Sequence, residues 1–271
     1  MRLLRGEVTK LLFQKRTYVG WAGLLAIPIL IVVALALSSP SPGGGEHGPG
    51  GFFLLAADNG LLVPLAAIGA LTTFLLPLLA SMAGGHQLAG EAETGTIKTW
   101  LVHPVSRSGV LVSKWLVAVA YLLAGLALVA AGGYVAGVAA FGAHAPTLLS
   151  GGTVSVVHGL WLTLLAYLFV AAGMVCVISL AMLISTVTNS SLTAAIGTLV
   201  IVIVMQIVAS FSYFDFLKPY LFTSHLDAWQ NLFQGSIDWA PIEKGLLAFV
   251  VYVVLSMGAA WYVFRRKDIL I

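Results

Sequence analysis

An all-α, polytopic membrane protein with six transmembrane helices is the fold class this sequence predicts, on three observations. Of its 271 residues, 60% are hydrophobic and only 8% are charged, against roughly 25% charged in a soluble domain, too few to cover a water-facing surface. Six apolar runs have about the ~20 residues that a helix rising ~1.5 Å per residue needs to cross the hydrocarbon layer. Eleven of the thirteen Lys and Arg residues fall on one side of the resulting bundle, which sets its orientation.

The same composition excludes several function classes. The net charge of +3 comes from basic residues at span ends rather than along one soluble face, so nucleic acid is not an expected partner. Cys176 is the single cysteine and lies in an apolar run, which leaves no disulfide framework and no cysteine metal site. It reads as a small buried apolar residue. Neither a Gly-x-x-x-x-Gly-Lys-Ser/Thr phosphate loop nor a His-Glu-x-x-His zinc motif occurs, so no catalytic residue, metal site or cofactor of its own is expected. His86 and His103, seventeen residues apart, are a weak metal signal.

The chain reads as a single transmembrane domain over residues 1–271. Residues 1–17 form an interfacial helix. Leu4, Val8, Leu11 and Leu12 share one face, and Arg2, Arg5, Gly6, Thr9 and Lys10 lie largely opposite, towards lipid headgroups. A basic flank that merely sets orientation is the alternative reading. The first span, residues 18–37, is too long and begins too late for a cleaved signal peptide, and Pro28 is expected to kink it. Residues 38–45 are a Ser/Pro/Gly loop. The second span covers residues 61–85 and is interrupted by Pro64 and Pro77.

A polar segment follows over residues 86–110. The third span, residues 111–141, is longer than the bilayer needs and is expected to tilt or project. After an uncharged loop at 142–153 come the fourth span, 158–185, a polar turn at 186–191, and the fifth span, 192–211. Residues 212–244 form an aromatic outer segment, and the sixth span, 246–264, ends at Arg265-Arg266-Lys267. The N-terminal flank carries five Lys and Arg, the polar segment three and the C-terminus three, against Lys218 and Lys244 opposite. Both termini and the 86–110 segment are therefore expected to be cytoplasmic.

The span interiors carry no Asp, Glu, Lys or Arg, whereas ion-coupled carriers place such groups at mid-membrane as relays. Gln206, the most polar mid-span residue, is expected to make an interhelical hydrogen bond of roughly 1 kcal/mol. An energy source would have to reach the chain through 86–110. There Thr96 is placed to cap a short helix whose Ile97, Trp100 and Leu101 share a face and which Pro104 ends. That helix would offer an apolar knob to a groove. After that break Ser106 is placed to cap the third span, with Arg107 and Lys114 at the headgroup boundary; a solvated loop with snorkelling basic residues is the other reading.

The run Glu91-Ala92-Glu93-Thr94-Gly95-Thr96, then Pro104-Val105-Ser106-Arg107 and Lys114, set between two apolar spans, resembles the signature segment of ATP-binding-cassette transporter permeases of the type-2 exporter family. The basic N-terminus, six spans and long outer segment are similar too. The resemblance implies a half-transporter in a prokaryotic cytoplasmic membrane. It pairs with a second permease subunit, as a homodimer or with a paralogue, and docks on a separate ATPase subunit that binds ATP and Mg. It also implies a cytoplasmic coupling helix between spans two and three. Its coupling positions would be Glu91 or Glu93, with Gly95, Thr96, Pro104 and Arg107, beside the exposed Ile97, Trp100 and Leu101.

In that family the outer segment folds into short helices that close the exit. Here Thr223 or Ser224 would cap a helix bearing Leu226, Trp229 and Phe233 on one face, stopped by Gly235. Tyr220, Phe222, Trp229 and Phe233 are the candidate gate residues. Phe214, Phe216, Tyr220, Phe222 and Trp239 read equally as an interfacial aromatic belt. The expected function is the membrane-spanning subunit of an ATP-driven exporter. A non-transporting membrane assembly or immunity protein is the alternative, and an ion-coupled carrier is disfavoured. An uncharged path favours lipid-like, hydrophobic or amphipathic cargo over small ions.

Overall fold

The computed structural model describes residues 6, 7, 9–11, 13–37, 49–93, 106–148 and 151–266. Besides helical residues at 6, 7 and 9–11, the described residues form eight α-helices. They are α1 (Lys15–Leu37), α2 (Pro49–Asp58), α3 (Val63–Thr73), α4 (Leu75–Glu93), α5 (Arg107–Phe141), α6 (Val156–Val187), α7 (Ser191–Ser210) and α8 (Trp239–Arg266). Five of them, α1, α5, α6, α7 and α8, are long and apolar enough to cross a membrane. The bent pair α3–α4 supplies a sixth crossing when taken as one broken span. The architecture is thus the all-α membrane bundle that the apolar runs predict.

Helix α6 is its central post. In its most apolar window 67% of residues are buried, against 22% in α1 and α7 and 17% in α8, so the outer helices keep broad faces for lipid. α4 packs between α6 and α7, α8 lies against α6, and α1 lies against α5. Small residues permit the close approaches. A side-chain carbon on Gly84 would collide with α6 at Ile178, and one on Gly85 would collide with α7 at Ala195. Trp21 of α1 stacks on Tyr121 of α5 at 5.7 Å and donates its indole N–H to the Tyr121 carbonyl. α1 continues as one helix through Pro28.

The second span departs most from a straight helix. Its two halves meet at Phe74 with a bend of 61°, and α4 runs on to Glu93 rather than stopping near residue 85. Pro64 stands in the first turn of α3, where a proline is tolerated. Pro77 is the cause of the break, because it has no N–H for the carbonyl of Thr73 and its ring crowds that oxygen. The orphaned carbonyl accepts instead from the Gln206 side-chain amide of α7 at 3.1 Å. Gln206 therefore makes the interhelical bond expected of it.

At the end of the bundle away from Glu93, Gly142 closes α5 with φ of 74°, a backbone conformation that suits glycine. Its carbonyl accepts from the Gly60 N–H at 3.1 Å. Helix α2 falls in a stretch to which the sequence reading assigned no element, and Phe52 explains it. The ring is buried, stacks on Trp229 at 5.1 Å and meets Phe233 edge-on at 5.4 Å.

Residues Phe222–Phe233 form a 3-10 helix, not the capped helix expected from Thr223 or Ser224. Its N-cap is Leu221, which makes no side-chain cap bond, and the Thr223 hydroxyl has no hydrogen-bond partner in the structure. With three residues per turn, positions i and i+3 align. Thr223, Leu226, Trp229 and Leu232 accordingly form one buried stripe.

The Thr73 carbonyl generates a double-mutant prediction. Gln206→Leu should destabilise the chain by about 1 kcal/mol, measured by unfolding in mixed micelles. In a Pro77→Ala background, where residue 77 regains its N–H, the same change should cost almost nothing. Equal costs in both backgrounds would disconnect Gln206 from the proline break.

Candidate functional site

The charges cluster at the end of the bundle where α4 stops and α5 begins. Lys114 lies two turns inside α5, which Ser106 caps by accepting from the Gly109 N–H. Its side chain is 1% exposed. The ammonium donates to Glu91 Oε1 at 2.6 Å and to Glu7 Oε1 at 3.0 Å. Lys10 donates to the same Glu91 oxygen at 2.8 Å. Two ammoniums thus meet two carboxylates, and all but Lys10 are buried. A buried charge without a partner is prohibitive, whereas a neutral, hydrogen-bonded group of four is not. The sequence reading put Lys114 at the headgroup boundary and Lys10 towards lipid. The structure buries Lys114 against Glu7 and Glu91 instead, while Lys10 pairs with Glu91 and stays half exposed.

Two further ties use helix ends. Glu93 Oε2 accepts from the Ser191 hydroxyl at 2.8 Å and from the Ser191 N–H at 3.2 Å. Its negative charge thereby sits at the N-terminus of α7, where unpaired N–H groups and the helix dipole favour an anion. Arg107 does the converse. Its guanidinium donates to the carbonyls of Phe264 and Arg265 at 3.2 and 3.0 Å, the last turn of α8, where a cation is favoured.

The last turns of α4 are also held from α6. The Ser185 hydroxyl accepts from the N–H groups of Leu88 and Ala89 and donates to the Gly85 carbonyl. It enters the backbone ladder of α4 just before Glu91, an insertion of the kind that reshapes a helix locally.

Of the residues singled out in the sequence, Glu91, Glu93 and Arg107 therefore come together at one end of the bundle. Gly95, Thr96, Ile97, Trp100, Leu101 and Pro104 lie outside the described residues. Tyr220 is 73% exposed, while Phe222, Trp229 and Phe233 are buried, packed on Tyr252 and Phe52. Sequence reasoning missed Glu7, Ser185 and Ser191. A lone acid in a basic run was the available signal for Glu7. Among the described residues no group of three His, Cys, Asp or Glu side chains is placed to hold a metal ion.

Residues 10–269 match the model of the family described as ABC-2 family transporter protein. The chain belongs to that family. A stretch of 92 residues is also 34% identical to the protein named "Probable ABC transporter permease protein NosY" of Stutzerimonas stutzeri. That match covers 34% of this chain and 31% of the NosY protein, so it spans under a third of the relative's length. As an ABC-2 family member the chain is a multi-pass membrane subunit of an ABC transporter.

The cluster makes a graded prediction. Lys114→Met, which strands two buried carboxylates, should cost about 3–5 kcal/mol of stability. Lys10→Met, at a half-exposed position, should cost ~0–1 kcal/mol. Adding Glu7→Gln and Glu91→Gln to Lys114→Met should restore most of the loss in detergent unfolding experiments. If Lys114→Met proved as mild as Lys10→Met, the buried pairing would be refuted.

Proposed function

We propose that the chain is the membrane-spanning subunit of an ATP-driven exporter in a prokaryotic cytoplasmic membrane. It works as one of a pair of permease subunits, a homodimer or a paralogue pair, on separate ATPase subunits. The ATP and Mg belong to those ATPases, since this chain carries no phosphate loop. Charge bias puts both termini and the 86–110 segment in the cytoplasm.

One observation carries the reading. The residues on either side of 94–105 are fastened to different parts of the bundle. Glu91 holds the N-terminal segment and α5, Glu93 holds α7, and Arg107 holds the end of α8. A displacement imposed on the segment between them would pass to several spans at once. That is what a coupling element needs in order to turn closure of a soluble partner into a rigid-body movement of helices.

In this reading Gly95, Thr96, Ile97, Trp100, Leu101 and Pro104 make the contact with the ATPase. Glu91, Glu93 and Arg107 pass its motion on. At the other end Phe222, Trp229 and Phe233 close the exit as part of a packed plug, with Tyr220 at its rim. Cargo is lipid-like, hydrophobic or amphipathic, because the span interiors carry no charge and Lys114, near the start of α5, is already neutralised by its partners.

Cross-linking tests the proposal directly. With Cys176→Ser removing the single cysteine, Thr96→Cys or Trp100→Cys should cross-link to the co-expressed ATPase from the cytoplasmic side. Substituting Gly95 or Thr96 should cut the ATPase activity of the assembled complex by about tenfold, a loss of the size of a coupling free energy. Unchanged hydrolysis with intact target protection would instead favour a non-transporting assembly or immunity protein. Labelling of Thr96→Cys only from outside would overturn the orientation.

A further inference from the structure

Hydroxyl groups inside the spans follow one habit, and Ser185 breaks it. Thr72, Ser81, Thr163, Ser179 and Thr198 each donate to the carbonyl four residues back in their own helix, the local bond open to any helical serine or threonine. Ser185 of α6 reaches across to α4 instead. Its oxygen accepts from the N–H groups of Leu88 at 3.2 Å and Ala89 at 2.8 Å, and its proton goes to the Gly85 carbonyl at 2.7 Å. A hydroxyl has one proton and two lone pairs. The whole capacity of this buried group is therefore spent on one turn of its neighbour.

Helix α4 is held differently on the two sides of that turn. Before it, Gly84 and Gly85 bring the helix against α6 at Ile178 and α7 at Ala195, so closely that a side-chain carbon on either glycine would overlap main-chain atoms. Close-packed contact of this kind does not yield. After it, Glu91 and Glu93 are held by side-chain bonds to Lys10, Lys114 and Ser191. Glu7, Gln87, Gly90 and Glu91 there border a cavity of about 220 Å³. A fixed shaft thus meets a tip that has room beside it, and the Ser185 hydroxyl stands at the joint.

The same atoms have a second way to be satisfied. In an unbroken α-helix the N–H groups of Leu88 and Ala89 bond the carbonyls of Gly84 and Gly85. Ser185 can then turn back to the Ala181 carbonyl, as the other hydroxyls do to theirs. Neither arrangement strands a buried polar group, so neither carries the penalty of an unmade bond. They are two discrete patterns with nothing stable between them, which is what a switching element requires.

We propose that Ser185 is a positioning residue for coupling. With its hydroxyl spliced into α4 the tip is held as this structure has it; when the hydroxyl withdraws to α6, the ladder closes and the tip swings with Glu91 and Glu93. The inference rests on the coupling role proposed above and names the joint at which a stroke enters the second span.

The test is hydrogen–deuterium exchange at the Leu88 and Ala89 amides, read by fragmentation mass spectrometry on the assembled complex in lipid nanodiscs. Two N–H groups that share one hydroxyl oxygen are less protected than two that each own a carbonyl, so closing the ladder slows their exchange. Ser185→Ala should therefore slow exchange about tenfold in the nucleotide-free complex. ATP with orthovanadate should slow it likewise in the wild type and add nothing in that variant. Ser185→Thr, which keeps the hydroxyl, should behave as the wild type does. So should Thr198→Val, which removes a hydroxyl bonded within its own helix. If Ser185→Ala fails to fold, Ser185→Cys, a weaker hydrogen-bonding partner of similar size, should slow exchange by a smaller factor.

A bond with a purely structural role predicts the reverse. Its loss would loosen the turn and speed exchange, and that result would sink the proposal. So would unchanged exchange in the wild type with ATP and orthovanadate while Thr96→Cys still cross-links to the ATPase, since coupling would then bypass this joint. Slowing in Ser185→Ala together with a failed cross-link would support the two bonding patterns and overturn the coupling reading alone.

Discussion

The burial of Lys114 is the constraint on which the working end of this bundle depends. An ammonium two turns inside an apolar helix is tolerable only if carboxylates are brought to it. They come from two separate parts of the chain, Glu7 from the N-terminal segment and Glu91 from α4. The N-terminal segment is therefore more than a raft on the membrane surface. It completes the coordination of a charge that would otherwise destabilise the start of α5, and it docks Lys10 on the same glutamate.

The neighbouring ties obey related physics. Glu93 at the start of α7 and Arg107 at the end of α8 each place a full charge against the opposite partial charge of a helix terminus. Seated at the periphery, these pairs are individually weaker than the buried group. Their value lies in connection: they join the two ends of the ABC-2 family subunit's polar segment to helices that lie against α6.

Most of the fold was legible because long apolar runs leave few alternatives to spanning helices. The departures have identifiable causes. The second span outlasts its hydropathy because Ser185 and the glycine contacts at Gly84 and Gly85 hold α4 together after its sequence turns polar at His86. The α2 stretch was assigned no element because Pro49-Gly50-Gly51 carries no helix signal, although the Phe52 that follows has an aromatic pocket waiting at Trp229 and Phe233. Thr223 looked like a cap because the outer segment was read with a 3.6-residue period, and the segment winds with a period of three. Within the site, Glu91, Glu93 and Arg107 stood out as charges in an apolar chain. The pairings they make did not, because contacts across 23 to 158 residues of sequence leave no local trace. Glu7 and Ser191 look unremarkable until the helices are placed beside one another.

The elbow at Phe74 has a consequence for any movement of the subunit. Straightening α3 onto α4 would recover no backbone hydrogen bond at the Thr73 carbonyl, because residue 77 has no hydrogen to give, and it would pull Thr73 away from Gln206. The angle is therefore written into covalent chemistry rather than held by a spring. Any stroke delivered at Glu91 has to swing this span as a cranked lever whose corner stays pinned to α7.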